Sequence, residues 1–406
     1  MNRNIACFLV TFSSLIIIGC TPKGNQQVPQ IKLTIRNTLP IDRKNVPVII
    51  SIDQFKQVAP DFSFRAFMVI EENTDPQNPR QNDEPIHAQV DDTDYDGERD
   101  QLVFLIDLAP TEAKTVFIRY VSETAENQMP LTFGFTKQTR AGIFPHLNAL
   151  AAIESELNVY LLKANGAISV LAKKTEKLEL NRLGREEDNK QPNTIELKRT
   201  EDLIGYGGFV LRMRNDNKPD GLDPLRYVPH PKDSSPYQHV RVIMDGPVRS
   251  TIERIIPNCT VGDKEIELTE TLSIYGKSRF AEHRIKIQGS LEGVLIETGI
   301  PKSRDNQVDE KKGLIQSWQD AILDQSGEGQ IGVGLVYPIS SFLRDTDSSG
   351  ILLKPDKNGE VIWYVVGVCN KGDLGFKTEE DFKQFLGLQA VELHTPPIVQ
   401  LFEPEE

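Results

Sequence analysis

The sequence has few of the residues from which common metal and nucleophile sites are built. It contains four cysteines, two tryptophans and six histidines among 406 residues. Cys259 and Cys369 stand far apart and provide no metal-ligand spacing, and either a disulfide or two buried thiols fits their positions. Neither G-x-S-x-G nor H-E-x-x-H occurs. Standard serine-hydrolase and zinc-peptidase mechanisms therefore have no support in this chain.

Positive charge is also scarce. The chain carries 46 Lys and Arg against 59 Asp and Glu, which gives a formal net charge of −13. This balance argues against a nucleic-acid partner, because such partners are bound through clustered basic residues. The glycine-rich segment 205–208 lacks the G-x-G-x-x-G spacing and a following helix, so no nucleotide cofactor is indicated.

The N-terminus has an apolar run after Arg3 that ends in Ile17-Ile18-Gly19-Cys20. The run is shorter than the roughly 20 residues that a transmembrane helix needs, so a membrane anchor of that kind is the weaker alternative. A basic start, an apolar stretch and a small residue before the cut predict a signal peptide over 1–19. The Gly19-Cys20 step resembles the lipobox of bacterial lipoproteins, which implies a lipid on Cys20 that holds the protein at the membrane.

Residues 20–27 are polar and read as a tether between this lipid and the folded body. They carry no acidic cluster of the kind that resembles a surface-export signal. We therefore expect a bacterial, membrane-anchored lipoprotein that faces the periplasm rather than the cell exterior.

The rest of the chain is dominated by short runs in which apolar and polar residues alternate. Period-two patterning between Gly, Pro, Asn and Asp is typical of antiparallel strands. The sequence predicts an all-β antiparallel sandwich with a smaller N-terminal β domain over 28–122 and a larger domain over 123–406. One helix is expected over Thr378–Leu386, which has a threonine cap and an acidic first turn. The alternating runs are 31–35, 46–52, 101–108, 114–121, 157–172, 239–256, 264–275, 280–288 and 361–368.

The segment Asp92 to Asp100 resembles a calcium-binding loop. Carboxylates or carbonyls at alternate positions wrap a hard cation, and Gly97 permits the sharp turn that such a loop needs. The bidentate glutamate expected at the twelfth position is replaced by Val103. An Asp-rich turn between strands is the alternative. The proposed structural calcium ligands are Asp92, Asp94, Asp96, Asp100 and the backbone carbonyl of Glu98.

A hairpin over 264–288 places two ionisable residues on an apolar face. Gly276-Lys277 fits a two-residue type II′ turn, which fixes a register in which paired residue numbers sum to 553. That register puts Glu270 directly opposite His283, within contact distance. A carboxylate and an imidazole in apolar surroundings can act as acid and base. A structural ion pair fits the same pattern.

Further candidates lie in a proline-rich segment and on later strands. Prolines restrict the loop 214–238, and function concentrates in ordered loops. Each of these residues also fits a solvated surface without a role. The candidate substrate-binding residues are Arg226, Tyr227, His230, His239, Arg249 and Glu297.

Several stretches together resemble the bacterial family DUF4861, a domain of unknown function. They cover most of residues 30–300 and include 37–44, 92–108, 140–145, 154–157, 205–209 and 246–249. The resemblance implies a galactose-mutarotase-like β supersandwich and a setting among polysaccharide-degrading systems. A fold of that kind points to function by association only.

Taken together, these observations predict a lipid-anchored, carbohydrate-active protein. We expect Glu270 and His283 as its acid–base pair, Arg249 or Arg226 on an acidic sugar, and Tyr227 in stacking or proton transfer. Glycoside hydrolysis and β-elimination both remain open. The alternative is a noncatalytic glycan-binding or scaffold lipoprotein, although an aromatic content of 7% argues against a flat platform for long glycans. The sequence does not indicate an oligomeric state.

Overall fold

The protein is described from a computed structural model. The predicted signal peptide, Cys20 and the tether lie outside the described part of the chain. The described residues are 29–72, 85–122, 135–184, 193–197, 203–215, 217–218, 221–223, 227–228, 239–323, 327–346 and 349–403.

These residues form antiparallel strands and two α-helices, which confirms the predicted fold class. The helices are α1 (Ile52–Val58) and α2 (Glu379–His394). The strands are β1 (Gln30–Arg36), β2 (Arg43–Ser51), β3 (Phe62–Glu71), β4 (Ala88–Asp91), β5 (Gln101–Leu108), β6 (Ala113–Ser122), β7 (Thr139–Gly142), β8 (Ala151–Ser155), β9 (Asn158–Leu162), β10 (Ile168–Lys173), β11 (Thr194–Glu196), β12 (Phe209–Met213), β13 (Val240–Asp245), β14 (Arg249–Val261), β15 (Lys264–Tyr275), β16 (Ala281–Gly289), β17 (Val294–Gly299), β18 (Gln307–Asp309), β19 (Leu314–Ile322), β20 (Glu328–Val336), β21 (Phe342–Asp345), β22 (Gly350–Leu353), β23 (Glu360–Cys369) and β24 (Ile398–Phe402).

The N-terminal part is a sandwich of two sheets. One sheet has the order β24-β1-β6-β3 and the other has the order β2-β5-β4. The alternation in β1 buries Ile31, Leu33 and Ile35 fully between them, as period-two patterning requires. The outermost strand of the first sheet is β24, from the C-terminal end of the chain. The last strand of the predicted domain over 123–406 thus belongs to the N-terminal sandwich.

The larger part is built around an eight-stranded sheet, which we call the large sheet. Its order is β13-β14-β15-β16-β23-β20-β19-β18. Its inner face packs against a five-stranded sheet (β11 to β7) and a four-stranded sheet (β12-β17-β22-β21), and one apolar core joins all three. Cys259 and Cys369 are buried thiols that form no disulfide with each other.

Helix α2 lies on the outer face of the large sheet. It begins where the sequence predicts, since the Thr378 hydroxyl accepts from the Asp381 backbone N–H, and it continues to His394. Phe382 and Leu386 pack with Val366 and Val368 of β23. Within the described ranges, no helix has both the length and the apolar character needed to cross a bilayer.

Candidate functional site

Glu270 and His283, the predicted acid–base pair, contact each other on the inner face of the large sheet. His283 Nε2 lies 2.8 Å from Glu270 Oε1, and Arg254 Nε donates to Glu270 Oε2 at 2.5 Å. The Arg254, Glu270 and His283 side chains are 3%, 1% and 0% exposed. Burial raises the pKa of Glu270, but Arg254 and His283 outweigh it and hold that pKa below its ordinary value. Glu270 is therefore a satisfied, ionised group.

The two residues meet in a register other than the predicted one. The structure pairs Glu270 with Ile285 and His283 with Leu272, so the predicted register is wrong by two residues. A slip of two residues leaves every side chain on its original face, whereas a slip of one would reverse the faces. Glu270 and His283 consequently contact each other as diagonal neighbours.

The turn of this hairpin explains the slip. A type II′ turn needs a positive φ at its first central residue, which was expected to be Gly276. In the structure the positive φ, 58°, belongs to Lys277 instead. Strand β15 ends at Tyr275 and β16 begins only at Ala281, so the loop is longer than two residues.

The buried pair supports the glycine-rich segment 205–208. His283 Nδ1 and Trp363 Nε1 both donate to the carbonyl oxygen of Gly207, at 2.7 and 2.9 Å. Tyr206 and Gly207 have positive φ values of 51° and 77°, and a Cβ on Gly208 would lie 2.1 Å from a backbone oxygen. These contacts fix a strained segment against the sheet. A catalytic role of Glu270 and His283 stays a prediction.

Arg249, a predicted substrate-binding residue, joins the two parts of the molecule. Its Nε donates to Asp91 Oδ2 at 2.7 Å, and its Nη2 donates to Gln101 Oε1 at 2.9 Å. Gln89 completes the contact, because its Oε1 accepts the backbone N–H of Arg249 at 2.8 Å. Asp91 is fully buried. The guanidinium is thus engaged by the N-terminal sandwich.

The other predicted substrate-binding residues are dispersed. The Tyr227 hydroxyl donates to Asp223 at 3.3 Å. Glu297 is 1% exposed and lies 3.5 Å from Arg212 Nη1. His239 is half-buried just before β13. Two of the predicted residues lie outside the described part of the chain: Arg226 and His230.

The predicted calcium loop connects β4 to β5. Asp92, Asp94 and Asp100 each offer a carboxylate oxygen, and these oxygens lie within 4.8 Å of one another. Asp96 and Glu98 are exposed, and the Glu98 backbone N–H donates to the Asp96 carboxylate at 2.8 Å. The loop thus gathers three of the five predicted ligand residues, and metal binding by it stays a prediction.

A cleft of about 230 Å³ opens where the N-terminal sandwich, the outer face of the large sheet and the end of α2 meet. We call it the junction cleft. It combines apolar walls with ionisable groups from all three neighbours, as ligand sites commonly do. Its apolar lining includes Val46, Pro47, Phe280, Leu393, Pro396 and Pro397, and its ionisable lining includes Arg43, Lys44, Tyr275, Lys277, Glu282, Tyr364 and Glu392.

The sheet wall of the junction cleft is polar because strand alternation turns these residues away from the core. Glu282 is paired in register with Tyr364, and its Oε1 accepts from Arg284 Nη2 at 3.2 Å. Burial raises the pKa of Tyr275 and Tyr364, and the charge of Glu282 raises both further. One glutamate and two tyrosine side chains thus line this wall.

The groups that face the sheet wall across the junction cleft come from β2 and α2. A β-bulge in β2 follows Arg43, and bulges redirect side chains beside functional sites. Arg43 donates to the carbonyl oxygens of Thr395 and Glu392, at 2.9 and 3.1 Å, and so satisfies the end of α2. Burial raises the pKa of Glu392, although Arg43 opposes this change.

The sequence carries a partial signal for this site. Tyr275 and Glu282 occupy outward-facing positions of the hairpin. These positions alternate with the inward-facing apolar residues among which Glu270 lies. Nothing in the local pattern around Arg43 or Glu392 marks them as partners, because they are 349 residues apart.

The chain is similar to one known family and to solved structures. The family model described as "Domain of unknown function (DUF4861)" matches residues 35–194 and 204–399. No curated protein matches the chain. A protein in the glycosyl hydrolase family 38 from Enterococcus faecalis has a TM-score of 0.50 at 11% identity, with 93% of this chain and 48% of that chain covered.

A second similar structure is an alpha-mannosidase from Enterococcus faecalis V583. It has a TM-score of 0.50 at 10% identity, with 93% of this chain and 46% of that chain covered. The chain thus spans about half the length of either structure. At such low identity the likeness concerns the fold.

Proposed function

The chain belongs to the DUF4861 family, and from this premise we propose that it is a lipid-anchored, carbohydrate-active protein that binds an oligosaccharide in the junction cleft. The fold that it shares with glycoside hydrolase structures supports a carbohydrate ligand by association. The junction cleft supplies the site-level argument. Apolar and aromatic groups can pack on the faces of a sugar ring, while fixed polar groups bond its hydroxyls.

Hydrolysis is the reaction that the geometry supports best. The observation that carries it is the presence of two carboxyl groups, Glu282 and Glu392, on different walls of one cleft. Most glycoside hydrolases place two such groups around the bond that breaks. Burial and the charge of Glu282 raise the pKa values of Tyr275 and Tyr364, so neither hydroxyl is suited to act as the base of an elimination.

Noncatalytic glycan binding is the second candidate. The complete burial of Glu270 and His283 favours it, since the pair first expected to act as acid and base lies beneath a glycine-rich segment. Both candidates use the same cleft, and they differ in whether a bound glycan is cleaved.

The test is a screen of the protein against oligosaccharides, with binding and reducing-end release measured in parallel. We expect both signals for at least one glycan, and Glu282→Gln should abolish release while the protein stays folded. Glu379→Gln is the matched control, because Glu379 lies on the first turn of α2 and pairs only with Lys383 among the described residues. Binding without release would establish the noncatalytic alternative. A protein that neither binds nor cleaves any glycan would refute the proposal.

Lipid attachment at Cys20 is part of the same proposal. It predicts that the wild-type protein fractionates with membranes and carries acyl chains on its new N-terminus. Cys20→Ala should block processing or release the chain into the periplasmic fraction. A variant that is processed at the same position and stays in the membrane would contradict lipid anchoring.

Structural calcium in the loop over Asp92–Asp100 is also proposed. A bound ion stabilises the folded state by mass action, and three gathered carboxylates would supply its first ligands. Chelator should lower the melting temperature of the wild type and leave that of Asp94→Asn unchanged. Equal melting of the wild type with and without chelator, and no metal in the purified protein, would leave only an Asp-rich turn.

A further inference from the structure

Tyr95 is an exposed aromatic residue in the loop between β4 and β5. It is 58% exposed, and its hydroxyl has no hydrogen-bond partner among the described residues. Its φ of 67° is unfavourable for a bulky side chain. Backbone strain of this kind is concentrated at functional sites. The loop therefore holds an aromatic ring in solvent at a conformational cost that the core does not explain.

Arg241 of β13 holds the Tyr95 ring on one face. The guanidinium carbon lies 4.8 Å from the ring centroid, which is within the range of a cation–π contact. Arg241 is itself fixed, because its Nε donates to Glu253 Oε1 at 2.7 Å and its Nη2 donates to the Asp94 carbonyl oxygen at 3.4 Å. The exposed surface of the ring is therefore its opposite face and its edges. This face is preorganised for a flat ligand group.

A row of polar side chains on the large sheet connects Arg241 to the junction cleft. Arg241 is paired in register with Glu253, and Thr271 is paired with Glu253 on one side and with Arg284 on the other. The four side chains point to the outer face, because a strand neighbour of each lies in the apolar core. Three strand spacings separate Arg241 from Arg284 by about 14 Å. Arg284 Nη2 donates to Glu282 Oε1, on the wall of the junction cleft, at 3.2 Å.

This row contains hydrogen-bonding groups that the protein does not use itself. Arg241 Nη1 and the Thr271 hydroxyl have no partner within the described ranges. The Arg284 side chain is 40% exposed. An exposed ring together with a few fixed polar groups is the usual composition of a ligand site. The distance from Tyr95 to the junction cleft exceeds the length of one sugar ring, so only a chain of sugars contacts both.

Within the oligosaccharide binding proposed above, on which this step rests, we propose that the ligand is a chain of several sugars that extends from the junction cleft along this row and places one sugar ring on Tyr95. The C–H groups on one face of that ring pack on the exposed face of Tyr95. Arg241, Thr271 and Arg284 bond hydroxyls along the chain. We call the position at the ring the Tyr95 subsite. It serves cleavage and binding alone in the same way.

The experiment measures how affinity depends on the length of the glycan. Isothermal titration calorimetry of the purified protein uses disaccharides and hexasaccharides of mannose, xylose, glucose and galacturonic acid. For a glycan that the wild type binds, the hexasaccharide should bind about tenfold more tightly than the disaccharide. Tyr95→Asn removes the ring, and asparagine tolerates a positive φ, so the loop keeps its conformation. It should weaken hexasaccharide binding about tenfold and leave disaccharide binding unchanged.

Two further variants are the controls. Tyr95→Phe keeps the ring without the hydroxyl and should bind both lengths as the wild type does. Phe402→Ala removes another exposed aromatic ring, which lies on β24 outside the row, and it should also bind both lengths normally. Melting curves should show that each variant is folded.

The outcomes separate the Tyr95 subsite from the proposed function. If the wild type binds a disaccharide and a hexasaccharide equally, or if Tyr95→Asn leaves hexasaccharide binding unchanged, the subsite does not exist, although oligosaccharide binding stands. Equal weakening of both lengths by Tyr95→Asn would show an effect on the cleft, and it would refute the subsite as well. A wild type that binds none of these glycans would refute the oligosaccharide proposal, and the subsite with it.

Discussion

At the scale of single residues, burial separates the two glutamates that could take part in proton transfer. Glu270 is ionised and enclosed, with Arg254 and His283 as its partners. Glu392 lies at an opening and has a raised pKa. A residue that touches substrate must be accessible to it. The structure therefore favours the cleft on the outer side of the large sheet, and not its inner face, as the substrate site.

Glu270→Gln should be strongly destabilising. The amide keeps the shape but removes the negative charge, which leaves Arg254 buried without its counter-ion. Breaking a buried ion pair from one side costs about 3–5 kcal/mol. Urea unfolding of the variant and the wild type measures this loss.

The folded fraction of Glu270→Gln should cleave any identified glycan at the wild-type rate. The opposite pattern, unchanged stability together with lost activity, would restore Glu270 and His283 as the catalytic pair.

At the scale of secondary-structure elements, strand β24 matters most for how the parts are connected. It comes from the end of the chain, yet it pairs with β1 at the edge of the N-terminal sandwich, where Leu401 is opposite Leu33. Leu401 and Val399 pack on the core of that sandwich. The C-terminal residues therefore stabilise the N-terminal part.

Leu401→Asp should lower the free energy of unfolding by about 1–3 kcal/mol, because it removes a half-buried leucine and brings a charge to an apolar core. Gln400→Asp is the control, since Gln400 points outward from the same strand. Differential scanning calorimetry of both variants provides the comparison. Equal melting temperatures would show that β24 contributes little to the sandwich.

At the scale of the whole molecule, Arg249 and Asp91 join the N-terminal sandwich to the large sheet. The junction cleft depends on this contact, because its walls belong to the N-terminal sandwich and to the large sheet. The ion pair is buried, so removing one partner and removing both should have different effects.

Asp91→Ala should cost about 3–5 kcal/mol of stability, because Arg249 then stays buried without a carboxylate. The double variant Asp91→Leu with Arg249→Met should lie within about 1 kcal/mol of the wild type, since apolar pairs often replace buried ion pairs without loss. Chemical denaturation of Asp91→Ala, of the double variant and of the wild type measures the three free energies of unfolding. A double variant as unstable as the single one would show that the ion pair itself holds the joint.

The sequence by itself determined the strands, their faces and the beginning of α2. Alternation specifies which side chains turn inward, and it placed Glu270 and His283 on one face in every register that keeps the apolar residues of both strands together. The Thr378 cap located the helix start, because capping depends on residues three positions apart. Such features depend on residues that are close together in the sequence, so the sequence alone predicts them.

Only the tertiary structure decided the register of the β15–β16 hairpin, the engagement of Arg249 by Asp91, and the junction cleft. The positive φ at Lys277 follows from how the whole loop packs and not from Gly276 alone. Arg43 meets Thr395 across 352 residues of chain. No periodicity extends over such a separation, so the contact exists only because β24 returns to β1 and α2 packs on the large sheet.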